Sequence, residues 1–149
     1  MIAIACDHTG IVLKNQIKQL LEKKGLAYKD FGTDSEQSTD YPKWGYKAAV
    51  AVAKGECQRG ILICGTGIGI GLAANKVKGI RCANCSDPYS AMMASQHNNC
   101  NMISLGARVI GSDLAQMVVE TFLDTPFEGG RHQRRVDMIM EIENGSVLE

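Results

Sequence analysis

Residues 61–71 read Ile-Leu-Ile-Cys-Gly-Thr-Gly-Ile-Gly-Ile-Gly, and this stretch decides the fold. Its first three residues are apolar, as in a strand that is buried on both faces. The apolar run ends at Cys64, and glycines then occupy every second position from Gly65 to Gly71. Residues 72–76 have helix-forming composition. The segment is therefore predicted to pass from a strand through a tight turn into a helix, with a thiol at the strand tip.

The predicted turn has the chemistry of an anion site. Backbone N–H groups at the start of a helix lack intrahelical partners and attract negative charge. The same groups favour the thiolate form of a neighbouring cysteine. Cys64 is therefore a candidate base or nucleophile. Thr66 is a candidate to cap the following helix, to donate its hydroxyl to a substrate, or to do both.

The glycine spacing departs from two common nucleotide-binding motifs. A dinucleotide fingerprint needs Gly-x-Gly-x-x-Gly after the first strand, but Ile70 breaks that spacing and the run follows the third strand. A P-loop ends in Gly-Lys-Ser/Thr, whereas Leu72 follows Gly71 here. A nucleotide-binding regulatory module remains an alternative from another functional class. Close packing of the helix on the sheet is the simplest alternative reason for the glycines.

Strand and helix patterns alternate along the rest of the chain. Strands are predicted at residues 2–5, 26–31, 60–64, 80–85 and 102–105, the fourth of them buried. Helices are predicted at 10–24, 42–54, 67–77, 87–95, 112–123 (capped by Ser112) and 131–143. Such alternation implies a parallel sheet with helices on both faces. We expect a single α/β domain over residues 1–149, a Rossmann-like three-layer sandwich around a five-stranded parallel sheet.

Composition narrows the functional classes. The 149 residues are 45% hydrophobic and carry 16 basic and 16 acidic side chains. This balance predicts a soluble protein with no strong attraction to nucleic acid or membrane. The start of the chain lacks a signal-peptide pattern, so the six cysteines are expected to be reduced and the protein cytoplasmic. Cys82 and Cys85 would face opposite sides of a strand, which favours core packing over a zinc or redox role.

Polar side chains follow three of the predicted strands. Asp7 and His8 come after the first strand, Cys64 to Thr66 after the third, and Ser86 and Asp87 after the fourth. Because parallel strands end at one edge, where ligands bind in such folds, these residues are expected to lie close together. A plain turn is an equally good account of Asp7 and His8.

Two further segments carry candidate chemistry. His97 and Asn98 end a predicted helix, where a histidine suits proton transfer or merely complements the helix dipole. Arg131 and Arg135 lie four residues apart at the start of the last helix, so they share one face and suit a phosphate. A solvated face, or pairing with acidic residues further along the helix, would also explain them. The spacing of the histidines indicates no metal site.

Taken together, these residues resemble the ribose-5-phosphate isomerase B family, which includes the galactose-6-phosphate isomerase subunits. The resemblance spans nearly the whole chain. It rests on Cys6-Asp7-His8, Thr39-Asp40-Tyr41-Pro42, Ile61 to Gly69, Ala73-Ala74-Asn75-Lys76, Gln96-His97-Asn98 and Glu128-Gly129-Gly130-Arg131-His132.

The resemblance implies roles that the pattern alone does not give. Cys64 would be the proton-abstracting base, assisted by Thr66, and His97 would open the furanose ring. The enediolate would be held by Gly65, Gly67, Ile68 and Gly69. Substrate would be bound by Asp7, His8, Asn98, Arg108, Arg131 and Arg135, the arginines mainly on phosphate. Some members place the base on a glutamate in another loop, so Cys64 makes this chain similar to the cysteine-type branch.

The expected activity is a cofactor-independent and metal-independent aldose–ketose isomerisation. It would interconvert D-ribose 5-phosphate and D-ribulose 5-phosphate, in the pentose phosphate pathway, through an enediolate. The resemblance also implies a homodimer or homotetramer with active sites shared between subunits. A hexose 6-phosphate isomerase acting on allose or galactose 6-phosphate is the nearest alternative. A thiol redox protein is a third class, but no resolving cysteine lies close to Cys64 in the sequence.

Overall fold

The computed structural model describes residues 1–148, in which strands and helices alternate. The strands are β1 (Ile2–Cys6), β2 (Tyr28–Asp30), β3 (Arg59–Cys64), β4 (Cys82–Asn84) and β5 (Met102–Gly106). The helices are α1 (Ile11–Lys23), α2 (Tyr41–Ala53), α3 (Ile68–Asn75), α4 (Pro88–Gln96), α5 (Ser112–Asp124) and α6 (Arg131–Glu143). All strand pairs are parallel, in the order β2-β1-β3-β5-β4. The predicted sandwich around a five-stranded parallel sheet is confirmed.

Alternation along β3 divides the core into two layers. Ile61 and Ile63 point into a cluster formed with α1, α4 and α5. Leu62 and Cys64 point to the other face, into a cluster formed with α2 and α3. Both faces of the sheet are thus covered, as a parallel sheet requires. The register of β3 also fixes the side on which Cys64 emerges, which is the side of α3.

The strand order places a crevice between β1 and β3. The chain leaves β1 toward β2 on one side, and it leaves β3 toward β4 and β5 on the other. Loops that diverge in this way open a gap at the carboxyl ends of the two strands. The amide of Asp7 bonds to the carbonyl of Ile63 across 3.2 Å, so both loops begin at the same level.

Two sequence predictions about these elements are wrong. The fourth strand is not a buried strand over 80–85: β4 has three residues, which are half-buried or exposed. It lies at the edge of the sheet with only β5 beside it. Ser112 does not cap α5, because Gly111 occupies the cap position and Ser112 is already helical. The Ser112 hydroxyl instead accepts a hydrogen bond from the Gln116 side chain across 3.2 Å.

The structure also bears on the Cys-x-x-Cys. Cys82 packs with the layer on one side of the sheet and Cys85 with the layer on the other, as predicted. Burial raises the pKa of each thiol to about 12. Both thiols are therefore protonated near neutral pH, when they are poor nucleophiles and poor metal ligands. All six cysteines are free within the described chain.

The last helix, α6, is attached lightly to the rest of its own chain. Only His132 and Val136 of this helix are buried, whereas Met138, Ile139 and Ile142 are exposed. An amphipathic helix with an uncovered apolar stripe is typical of a surface that packs on something else. Across residues 1–148, every helix is too short or too polar to cross a lipid bilayer.

Candidate active site

Cys64 lies at the carboxyl end of β3, in the wall of a cleft. Its side chain is only 4% exposed, and the amide of Gly67 donates a hydrogen bond to the sulfur across 3.1 Å. An N–H that points at sulfur stabilises negative charge there. The structure therefore places Cys64 where its proton-accepting form has a fixed donor.

The turn after Cys64 needs glycine for backbone reasons at two positions. Gly67 has φ 78°, and a Cβ there would lie 2.8 Å from the carbonyl carbon of Leu105. A Cβ at Gly69 would lie 2.5 Å from the Tyr41 ring. Packing thus explains these glycines, as the simplest alternative proposed. At Gly65 the nearest heavy atom, in Arg108, would be 3.6 Å away, so packing does not require that glycine.

Thr66 contributes a hydroxyl at the mouth of the turn. Its Oγ1 accepts a hydrogen bond from the amide of Ile68 across 3.2 Å. Gly67 rather than Thr66 occupies the cap position of α3, so Thr66 supports the helix start from one residue further back. The hydroxyl proton of Thr66 remains available to donate to a ligand.

Asp7 and His8 are held in defined orientations beside β3. One carboxylate oxygen of Asp7 accepts bonds from the amide and the hydroxyl of Thr9, at 2.9 and 2.6 Å. The Nδ1 atom of His8 accepts a hydrogen bond from the amide of Thr39 across 3.2 Å. A neutral His8 with this contact carries its proton on Nε2. His8 thus presents an N–H donor, as binding of an anion or a hydroxyl requires.

These residues enclose one cavity of about 510 Å³. Arg108 lies on its rim, and its amide bonds to the carbonyl of Gly65 across 3.0 Å. The lining residues are Asp7, His8, Thr9, Tyr41, Cys64, Gly65, Thr66, Ile68, Gly69, Leu72 and Arg108. The predicted gathering of the residues that follow β1 and β3 is therefore found. Asp87, by contrast, caps α4: its carboxylate accepts from the amide of Ser90 across 2.7 Å.

A second group of predicted site residues lies elsewhere on the chain. His97 follows α4, and Arg81 binds the next turn by donating to the carbonyls of Asn98 and Asn99 at 3.3 and 3.1 Å. Asn99 has φ 46°, an uncommon conformation for a residue with a side chain. This turn exposes Asn98 and leaves the His97 ring partly open to solvent.

The arginines of α6 belong to the second group. Arg131 and Arg135 are exposed at its N-terminal end, and no salt bridge to either is found in residues 1–148. The suggested pairing with Asp137 is not seen, because that carboxylate accepts from the Gln133 side chain across 2.7 Å. Cations at a helix N-terminus are unfavourable unless an anion joins them. Their placement suits a phosphate.

The two groups occupy opposite edges of the sheet. Cys64 pairs with Gly106 at the carboxyl edge, whereas Gly60 pairs with Met102 at the amino edge. Helix α4 runs back from the carboxyl edge, and its last turn leads through Asn101 into β5, so His97 lies toward the amino edge. A five-residue strand spans roughly 13 Å. A single chain therefore does not bring His97 to the Cys64 cavity.

His97 has two neighbours that spacing did not reveal. Its ring stacks on that of His132, with centroids 4.0 Å apart and planes 10° from parallel. A carboxylate oxygen of Glu128 lies 3.8 Å from Nε2 of His97 and 3.7 Å from Nε2 of His132. The three side chains have the composition of a metal site. Stacked rings do not suit one, because a metal must lie close to the plane of each imidazole that binds it.

Comparison with known proteins identifies the family. The Ribose/Galactose Isomerase family pattern matches residues 2–139. Ribose-5-phosphate isomerase B of Escherichia coli strain K12 is 51% identical over 142 residues, which cover 95% of each protein. The chain belongs to the ribose/galactose isomerase family.

Two further relatives show the breadth of this family. D-erythrulose-4-phosphate isomerase of Pectobacterium atrosepticum is 48% identical over 139 residues, 93% of this chain and 91% of that protein. The solved structure of Clostridium thermocellum ribose-5-phosphate isomerase B has a TM-score of 0.95 and 52% identity, with 97% of both chains covered. The backbone of a ribose/galactose isomerase is thus followed from end to end.

Sequence reasoning did not assign a role to several residues that the structure places at these sites. Thr9 and Tyr41 line the Cys64 cavity, and Glu128 and His132 contact or face His97. Three of the four fall in segments that carry the family resemblance, so their positions were visible although their roles were not. Thr9 follows Asp7 and His8 directly, and an Asp-x-Thr turn is the signal that could have found it.

Proposed function

We propose that this enzyme of the ribose/galactose isomerase family interconverts D-ribose 5-phosphate and D-ribulose 5-phosphate, with Cys64 as the base. The reaction moves a proton between C2 and C1 of the sugar, and one base can remove it and return it. The observation that carries the proposal is the Cys64 sulfur, which lies in the cavity wall with the Gly67 amide 3.1 Å away. The names of close relatives support the substrate.

The turn after Cys64 would stabilise the enediolate. Donors must be aimed at the oxygen on which charge develops, and losing one typically costs about 3–4 kcal/mol in comparable oxyanion sites. The amide of Gly67 is directed at sulfur and the amide of Ile68 at Thr66. We therefore assign the oxyanion contacts to other amides between Gly65 and Gly69, together with the Thr66 hydroxyl.

A furanose must open before its C2 proton becomes acidic, and we assign the acid–base step of ring opening to His97. Histidine is suited to proton transfer near neutral pH. Asp7 and His8 would bind the sugar with Asn98, and Arg108, Arg131 and Arg135 would neutralise the phosphate. Two guanidinium groups on one helix face match the geometry of phosphate oxygens.

We further propose that the working enzyme is a homodimer or a homotetramer with shared sites. Because Cys64 and His97 lie at opposite edges of one chain, a second copy must supply the missing half. The exposed apolar residues of α6, Met138, Ile139 and Ile142, offer a surface on which copies can pack. Packing of α6 on a neighbour would carry Arg131 and Arg135 toward that neighbour's cavity. We place the enzyme in the cytoplasm, in the pentose phosphate pathway.

The test is turnover of ribose 5-phosphate beside allose 6-phosphate and galactose 6-phosphate, with a chelator present. We expect the pentose to have the highest kcat/KM and the chelator to have no effect. A preference for a hexose would retain the mechanism and change the substrate. Loss of activity on chelation would overturn the assignment of the chemistry to Cys64 and His97 alone.

The ring-opening step needs a substrate that cannot form a ring. D-erythrulose 4-phosphate has no free hydroxyl for a five-membered ring, and a 48% identical relative is named for it. His97→Asn should lower kcat/KM for ribose 5-phosphate and spare the tetrose. Equal losses on both sugars would remove His97 from ring opening.

A further inference from the structure

Glu128 and His132 surround the residue to which ring opening is assigned, and neither has a role in the mechanism above. We propose that they are positioning residues, which hold the His97 ring in one orientation and in its Nε2–H tautomer. The inference rests on the proposed function of His97. It adds the reason why this particular histidine, at the open end of a helix, would be competent.

Stacking restricts the His97 ring. The two imidazoles lie face to face, with centroids 4.0 Å apart and an angle of 10° between their planes. The His132 side chain is 7% exposed, whereas that of His97 is 38% exposed. A buried flat ring thus forms a fixed wall against a mobile one. Rotation of His97 about its χ2 angle would break this face-to-face contact.

The backbone fixes where the wall stands. The amide of Glu128 bonds to the carbonyl of Gln96 across 3.0 Å, which ties this loop to the residue before His97. Gly129 and Gly130 follow with φ 68° and 55°, values that favour glycine. This reversal starts α6 directly and returns His132 toward Glu128 and His97. The arrangement is thus built into the chain and does not depend on long side chains meeting at the surface.

Glu128 addresses one atom of each ring. Its carboxylate oxygen is 3.8 Å from Nε2 of His97 and 3.7 Å from Nε2 of His132, so a shift of about 1 Å gives a hydrogen bond to either. The Nε2 atom of His132 is buried and has no hydrogen-bond partner among the described residues. A carboxylate that accepts from Nε2–H of His97 leaves Nδ1 of that ring as the proton acceptor for substrate.

His132 is suited to be a neutral wall. Burial lowers its pKa, and the neighbouring His97, Arg131 and Arg135 lower it further, while Glu128 acts in the opposite direction. A neutral ring can stack on His97 whether or not His97 carries a proton. The stack therefore persists through a cycle in which His97 gains and loses one.

Tautomer populations provide the first test. The chain has 3 histidines, so long-range ¹H–¹⁵N spectra of ¹⁵N-histidine-labelled enzyme can be assigned with single variants. We expect the Nε2–H form of His97 in the wild type and a mixture of tautomers in Glu128→Gln and His132→Ala. His132→Phe, which keeps a flat ring, should retain the wild-type pattern. Glu56→Gln removes a carboxylate of similar exposure, 53% against 51%, and should change nothing.

Kinetics provide the second test. A ring held loosely should be misplaced in a large share of encounters, so kcat/KM for ribose 5-phosphate should fall about 10-fold in Glu128→Gln and His132→Ala. Turnover of D-erythrulose 4-phosphate should be unchanged, because that sugar has no ring to open. Equal losses on both sugars in a folded variant would indicate a purely structural role and overturn the inference.

The outcomes separate this inference from the proposed function. An unchanged His97 tautomer in both variants overturns the positioning role, whatever the activity of His97→Asn. If the tautomer is lost but His97→Asn affects both sugars equally, the ring is positioned as inferred and the ring-opening role fails. The spectrum thus decides the inference even if the tetrose is not turned over.

Discussion

Cys64 ends β3 at one edge of the sheet, and His97 follows α4 toward the opposite edge. The two residues to which proton transfer and ring opening are assigned therefore cannot act on one sugar within one chain. This separation, together with the lightly attached α6, is the strongest structural argument for a site built from two copies.

Subunit complementation tests that argument. Cys64→Ser and His97→Asn should each be nearly inactive on ribose 5-phosphate when purified alone. Mixed subunits can form a heterodimer in which one of two sites has both residues intact. For random assortment of a 1:1 mixture into symmetric dimers, about a quarter of the wild-type activity should return.

The mixture must be refolded together so that subunits exchange. A mixture of Cys64→Ser with wild-type Arg134→Ala chains would report on exchange without a second defect at Cys64 or His97. If no activity returns although native mass spectrometry shows heterodimers, Cys64 and His97 serve the same chain and the shared-site proposal is wrong.

Replacement of Cys64 should abolish most turnover without unfolding the enzyme. A positioned general base contributes typically about 10²–10⁴-fold, so kcat for Cys64→Ser should fall by that order. Cys57→Ser is a matched control, since Cys57 is equally buried in the same layer of the core. Wild-type kcat in a folded Cys64→Ser enzyme would transfer the base to another residue.

Much of this fold follows from residue order alone. The apolar run of β3, the glycine after Cys64 and the alternation of periods determine which elements form and which strand ends carry chemistry. The edge position of β4 was not accessible, because strand order depends on which helices cover which face. Nothing in residues 80–85 tells a central strand from an edge strand of three residues.

The sites are less accessible to sequence than the elements. Asp7, His8 and Cys64 could be expected together, because parallel strands end at one edge. The contact between His97 and His132 could not, since it depends on a backbone bond from Glu128 to Gln96 and on a reversal at two glycines. Such contacts arise from loop conformations, which residue spacing does not encode.

Alanine at Gly65 and at Gly67 should have opposite consequences. At Gly67 it meets both φ 78° and the Leu105 backbone, so the free energy of unfolding should fall by about 2–5 kcal/mol. At Gly65 the added methyl points into open space beside Arg108, so stability should be retained while KM rises. Thermal melts and kinetics of the two variants check this; a stable Gly67→Ala enzyme would contradict it.

Arg135→Ala should weaken binding through the phosphate. Each charge-assisted hydrogen bond contributes about 1.5–3 kcal/mol, so KM for ribose 5-phosphate should rise at least 10-fold. Turnover of unphosphorylated ribose, however slow, should change little. Arg134→Ala removes the same charge from the neighbouring position of α6, on another helix face, and should leave KM within about twofold. A similar loss for both variants would indicate general electrostatic attraction instead of a phosphate contact.

Lys14 joins the core to the loop before α2, and its removal should destabilise the protein in a pH-dependent way. This lysine is fully buried, and its ammonium lies 2.9 Å from Asp30, 2.8 Å from Asp34 and 2.9 Å from the carbonyl of Thr33. Burial acts to lower the pKa of Lys14, but the two carboxylates outweigh it and raise that pKa. Lys14→Met should lower the free energy of unfolding at pH 7 by about 2–3 kcal/mol, because the carboxylates lose their buried partner.

Acid dependence supplies the sign of this effect. The hydrogen bond from Lys14 lowers the pKa of Asp34 below its unfolded value, which is about 3.9. Asp34 therefore contributes stability above that pH, and the contribution is lost as the pH falls through about 4 and below. Urea unfolding at pH 7 and pH 3 should show a smaller difference between the two pH values in Lys14→Met than in the wild type. Lys18→Met, which removes a partly exposed lysine 3.2 Å from Asp30, should keep the wild-type acid dependence of Asp34. An unchanged pH difference in Lys14→Met would show that Asp34 is not coupled to the buried ammonium.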